Sequence, residues 1–200
     1  MPGMAKNPIN TLALKVVRAM CMGLDNKGTG NLAVAPHCLW TVLSMLASSL
    51  RNGTRAKDEM IKGLSYETQE GETGAIRWNE ELLTTLRMDG VVHLDFSVWA
   101  AAASEEYENA MLCKYNALFC GKADMRTINE YVSGKTAGMI SQILVEEPNQ
   151  DPVFLGTTYM KPKWDKQFDP AKTCEDKFFD TDNSHIACMM MKAKMDVEVE

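Results

Sequence analysis

Histidine is scarce in this sequence, with three in 200 residues, and the six cysteines form no C-x-x-C pair. His37 and Cys38 are neighbours, so their side chains diverge and do not make a nucleophile–base pair. His185 and Cys188 give half of a zinc spacing without a second half. No G-x-S-x-G, H-E-x-x-H or phosphate-loop pattern occurs. No catalytic residue, metal or cofactor is therefore expected, and an enzyme built on Cys38 or Cys188 is the weakest reading. Long apolar runs are also missing; none approaches the ~18 residues of a membrane span. A basic excess is missing too. The net charge of −6 argues against nucleic acid as a partner. Lys161, Lys163 and Lys166 are interleaved with Trp164 and Asp165 and read as a solvated loop. The N-terminus has no leader core, because Lys6, Asn7, Pro8, Lys15 and Arg18 interrupt it. That places the chain in the cytosol, with an extracellular setting as the alternative.

What is present is an ordinary apolar content of 46% and charged content of 24%, enough for one sizeable core. The six cysteines read as free, buried, small apolar residues. The 15 methionines read as core filling; Met189-Met190-Met191 cannot converge on one ion. Apolar spacing predicts helices over Leu12–Leu24, Leu39–Leu50 (starting after Pro36), Ala56–Leu64, Ile76–Met88 and Ser104–Leu118. Asn31–Ala35 reads as a short strand. Asn52-Gly53-Thr54 matches a glycosylation sequon but reads as a structural turn, with Thr54 capping the next helix. Val92, Leu94, Phe96 and Val98 alternate with His93, Asp95 and Ser97, the cleanest strand signal in the chain. Ile128 to Leu144 reads as one amphipathic helix. Val153-Phe154-Leu155 opens a strand buried on both faces. No repeat or internal boundary is visible, so residues 1–200 are expected to be one domain.

Two of these segments carry a resemblance. Ile128-Asn129-Glu130-Tyr131-Val132 with Thr136, Gly138 and Ile140, followed by V-F-L-G-T-T-Y-M-K-P-K-W-D-K-Q-F ending at Phe168, resembles the serpin pattern I-N-x-W-V-x-x-x-T-x-G-x-I and its central strand. Asn31 with Ala35-Pro36 looks like the family's N-x-x-x-S-P strand, and Cys188-Met189-Met190 like its V-x-M-M strand. The resemblance implies an α+β fold: N-terminal helices on a mainly antiparallel sheet, with Asn31, Pro36, Asn129, Thr136, Gly138, Trp164, Phe168 and Met190 at family structural positions. It covers the N-terminal half to two-thirds of a serpin. It also implies inhibition of a serine (or cysteine) protease by a reactive loop that inserts into the main sheet.

The departures matter as much. Nothing in these residues resembles the hinge, the reactive loop or the C-terminal strands, so no reactive-site bond is expected here. Ala35, Cys38 and Gly156 stand where the family's polar shutter cluster, which governs opening of the sheet, has hydroxyls and an asparagine. Tyr131 replaces the helix tryptophan. A non-inhibitory, interaction or chaperone-type serpin relative is accordingly the alternative. Missing core strands would leave apolar surface exposed and favour self-association.

Overall fold

The alternating segment forms the middle of the structure. In the computed structural model, which describes residues 8–23, 33–64, 76, 77, 80, 81, 83–85, 91–180 and 183–194, it is strand β1, Val92–Trp99. It is flanked by β2 (Ala117–Cys120), which runs parallel to it, and by β3 (Val153–Met160), which runs antiparallel. The sheet order is β2-β1-β3. Helices α1 (Pro8–Gly23), α2 (Pro36–Ser49), α3 (Arg55–Gly63), α4 (Glu105–Tyr115) and α5 (Met125–Lys135) belong to this first unit, Met1–Lys161, with further helical residues at 76, 77, 80, 81 and 83–85. The second unit, Pro162–Glu200, contains a hairpin of β4 (Cys174–Phe179) and β5 (His185–Met190). The fold is α+β, and the larger sheet is mixed because β1 and β2 are parallel.

Both faces of β1 are covered over its second half, while His93 near its start is exposed. Leu94, Phe96 and Val98 point to one side, where Met45 of α2, Leu83, and Met111 and Tyr115 of α4 complete a buried cluster. The Tyr115 hydroxyl donates to the Ser44 carbonyl at 3.2 Å and lies 2.7 Å from Ser48 Oγ, tying α4 to α2. On the other side Trp99, with Leu155 of β3, meets Ile128 and Val132 of α5. The second face was expected to be polar, yet Ser97 is fully buried on it. Helix α5 covers that end of the strand, and Ser97 Oγ is satisfied by the indole N–H of Trp99 at 2.9 Å. Val153 and Leu155 pack on this side and Phe154 on the first, as expected for a strand buried on both faces. A third cluster joins Ile9 and Leu12 of α1 to Trp40 and Ala47 of α2 and to Leu64.

Several expected boundaries move, each for a local reason. The helix read over Ser104–Leu118 stops at Tyr115, because Asn116 takes a left-handed conformation (φ 50°) and its N–H bonds back to the Leu112 carbonyl. Asparagine tolerates that region, and Leu118 therefore lies in strand β2. The helix read over Ile128–Leu144 stops at Lys135. Ala137 (φ 49°) and Gly138 (φ 77°) turn the chain left-handed, and Gly138 N–H closes onto the Ser133 carbonyl at 2.8 Å. Leu144 still packs against the α5 cluster, but from a loop. Ala33–Ala35 is irregular and exposed rather than a strand; Asn31 and the rest of that segment, the Ser65–Gly74 loop, and part of the Ile76–Met88 helix lie outside the described residues. All six cysteines are free, but none is buried: Cys21, Cys113 and Cys174 are exposed and the others half-buried.

Candidate functional site: a close helix–strand contact and a helix pinned across the sheet

Helix α2 begins where Pro36 supplies a pre-set first turn, and Thr41 and Ser44 donate to the carbonyls of His37 and Trp40, so buried hydroxyls leave no unpaired groups. Cys38 and Val42, one turn apart, then share a face. That face meets β3 at Gly156. A methyl group placed on Gly156 would stand 2.7 Å from Cys38 Sγ, 2.7 Å from Val42 Cγ2 and 3.2 Å from the Phe96 ring. Only glycine lets the helix approach this closely. The Cys38 thiol, half-buried here, is pushed above its ordinary range by desolvation, partly offset by a hydrogen bond with Thr158. It is thus held protonated, as an apolar filler rather than a nucleophile. The three residues expected to matter for the shutter separate as follows: Cys38 and Gly156 touch, and Ala35 is exposed outside the contact.

Across the sheet, α5 is fixed at both ends. Asp124 caps its start, accepting from Thr127 N–H at 2.9 Å and from the Thr127 hydroxyl at 2.6 Å, and these bonds hold its carboxyl below the usual carboxylate range. Glu147 accepts from Met125 N–H, adding a second negative group at the helix N-terminus. At the far end Lys135 Nζ donates to Asp95 Oδ1 at 2.6 Å and stands 5.4 Å from the centre of the Tyr131 ring. Tyr131 meets Trp99 edge-on at 5.5 Å. Burial pushes both the Tyr131 hydroxyl and the Cys120 thiol up, and the hydrogen bond to Asp95 raises the Lys135 ammonium.

Asn129 and Thr136 organise the loop that follows. The Asn129 carboxamide accepts from the N–H groups of Ile143 (2.8 Å) and Leu144 (2.9 Å) and donates to the Leu144 carbonyl (2.8 Å). Thr136 Oγ1 donates to the Val132 carbonyl and accepts from Ile140 N–H at 3.1 Å. With Gly138 at the left-handed turn, three of the residues read from the sequence thus converge on one task, joining α5 to β3. The others lie apart. Pro36 opens α2. Trp164, exposed, and half-buried Phe168 meet edge-on at 5.6 Å in the second unit. Met190 pairs with Cys174 in the hairpin. The Lys135–Asp95 pair and the Asp124 cap were not singled out from the sequence. The Asp-x-x-Thr spacing could have shown the cap, whereas the ion pair spans 40 residues and leaves no local trace.

The family model for serpins, serine protease inhibitors, matches residues 7–200. The chain belongs to the serpin family. A mouse serine protease inhibitor is 24% identical over 176 residues, covering 81% of this chain and 39% of that relative. Bovine corticosteroid-binding globulin is 29% identical over 177 residues, covering 80% and 43%. A solved thyroxine-binding globulin complex with thyroxine superposes with a TM-score of 0.79 at 17% identity, covering 92% of this chain and 53% of the other. This serpin chain spans about half the length of the relatives it matches, and the solved neighbour shows the shared fold. Within that fold, α2 on Gly156 and α5 on the opposite face bracket the strand that ends the described sheet.

The geometry makes two expectations measurable. Gly156→Ala should destabilise the first unit by about 1–3 kcal/mol through overpacking, and adding Val42→Ala should recover part of the loss non-additively. Denaturant unfolding measures both; a neutral or stabilised Gly156→Ala would show the contact to be loose. The second concerns pH. The Lys135 pKa is raised on folding, so its stabilisation is fully present below the ordinary lysine value of about 10.4 and is lost as pH rises through the folded value. Both partners are about a third exposed, so Lys135→Met should cost at most about 1 kcal/mol at neutral pH. The gap to wild type should close in strongly alkaline buffer, and a gap that persists there would assign the loss to packing of the lysine stem.

Proposed function

We propose that this chain supplies the N-terminal part of a serpin-type inhibitor of serine or cysteine proteases, acting as a protein inhibitor rather than an enzyme. The observation that carries the reading is the family match over residues 7–200, supported by relatives named as inhibitors of serine proteases and of leukocyte elastase. In this reading inhibition belongs to a longer form, since no hinge or reactive loop is legible within these 200 residues. Family membership accommodates both a cytosolic and an extracellular setting.

A second reading has its own support. The Gly156–Cys38–Val42 contact is apolar where the family's shutter is polar, and it locks α2 onto β3 with no room to spare. A sheet sealed in this way favours a non-inhibitory role in binding or interaction. A relative named for corticosteroid binding, and a neighbour solved with thyroxine, lend support to such a role. Exposed Phe178, Phe179, Ile186 and Met189 on the hairpin also support self-association of the chain as it stands.

Incubation with serine proteases of differing side-chain preference tests these readings. The 200-residue chain should form no detergent-stable complex, and a form extended past Glu200 should form one stoichiometrically. An extended form that is cleaved and released instead rejects inhibition and supports the second reading. Sedimentation at rising concentration should show species above the 22.3 kDa monomer; a lone monomer throughout would remove self-association.

A further inference from the structure

The turn between α2 and α3 occupies two of its residues fully and leaves the third open. Gly53 takes the left-handed conformation (φ 73°) that lets the chain reverse. Thr54 caps α3: its hydroxyl donates to the Arg51 carbonyl at 2.7 Å and accepts from Lys57 N–H at 3.3 Å. Asn52 is exposed, and its side chain makes no hydrogen bond among the described residues. A methyl group built on Gly53 would meet nothing within 4 Å, so no part of the first unit crowds the turn there. Asn52-Gly53-Thr54 is also the single Asn-x-Ser/Thr run, with x other than proline, in the sequence.

We propose that Asn52 is an acceptor for N-linked glycan, and hence that the chain passes through a glycosylating lumen. The co-reactant is an oligosaccharide carried on a polyprenyl diphosphate. Asn52 Nδ2 forms a bond to the anomeric carbon, the bond from that carbon to the diphosphate oxygen breaks, the diphosphate leaves with the electron pair, and the amide gives up one proton. The structural role of the turn and the modification are compatible, because the first uses Gly53 and the Thr54 hydroxyl in the folded state while the carboxamide of Asn52 remains in solvent. The glycan would stand at one end of α2 and α3, clear of the clusters that cover β1.

The test uses protein from its own cells. The intact, denatured protein is treated with peptide N-glycosidase in heavy-oxygen water beside an enzyme-free control, and trypsin in ordinary water then cuts after Arg51 and Arg55 to give the Asn52–Arg55 peptide for mass spectrometry. The expected result is a peptide that appears only after treatment and carries the heavy label as aspartate, with one discrete step down in gel mobility. Asn52→Gln should start at the lower position, Thr54→Ser should keep the modification and the cap, and Thr54→Ala should lose both. An unmodified Asn52 peptide in the isolated protein overturns the inference. So does aspartate or isoaspartate that is unlabelled, or labelled equally without the glycosidase, which marks spontaneous deamidation of the Asn-Gly pair only.

Discussion

Everything in the first unit depends on a strand that has no solvent face over its second half. Phe96 and Val98 point to one side of β1 and Ser97 and Trp99 to the other, and all four are buried. A strand in that position needs a helical layer on each side, and the chain supplies both: α2 and α4 on the first, α5 on the second. The buried hydroxyl of Ser97 is the polar cost of covering the second face, met by the Trp99 indole within the same strand. At ~25 cal/mol per Å² of apolar area removed from water, large residues such as Phe96, Trp99 and Tyr115 carry most of the drive that holds these layers together.

The two helical layers constrain β3 in different ways. On the first side the constraint is steric: Gly156 has no side chain, so Cys38 and Val42 sit against the backbone of the strand itself. On the second, Leu155 packs on Ile128 and Val132, while polar bonds tie α5 elsewhere, Lys135 to Asp95 of β1 and Asn129 to the loop at Ile143 and Leu144. A steric contact between close-packed groups gives way all at once, whereas a hydrogen-bonded loop yields bond by bond. β3 is thus held between a close steric contact with α2 and an apolar contact with α5.

Much of this was legible in the sequence. The period-two alternation at Val92–Val98 and the continuous apolar run that opens β3 both met packing that matches them, and Pro36 and Thr54 marked helix starts with known chemistry. The motif residues Asn129, Thr136 and Gly138 were visible as a family pattern, but their task was not. The apolar spacing from Ile128 to Leu144 continues through a left-handed turn, so periodicity alone ran the helix nine residues past its end at Lys135. What overrode it was a pair of non-helical residues, Ala137 and Gly138, together with a side chain that satisfies the loop backbone from within the helix. Cys38 and Gly156 were each noted as departures. That they form one contact depends on a register only the folded sheet reveals.

The second unit follows a different rule. Its hairpin places Cys174, Asp176 and Phe178 with Ile186, Cys188 and Met190 on one face, and Glu175, Lys177 and Phe179 with His185, Ala187 and Met189 on the other. Every residue of β4 is exposed, and Phe178, Phe179, Ile186 and Met189 are each more than half exposed. Only Cys188 and Met190 are half-buried, and a two-stranded ribbon this exposed is marginal by itself in water. The Lys192–Asp176 pair, about half exposed on both sides, adds little to its stability. The first unit buries its apolar residues on both sides of β1, while the hairpin presents apolar side chains on both of its own faces. The hairpin, rather than the sheet around β1, is thus where this serpin chain leaves large apolar side chains in solvent.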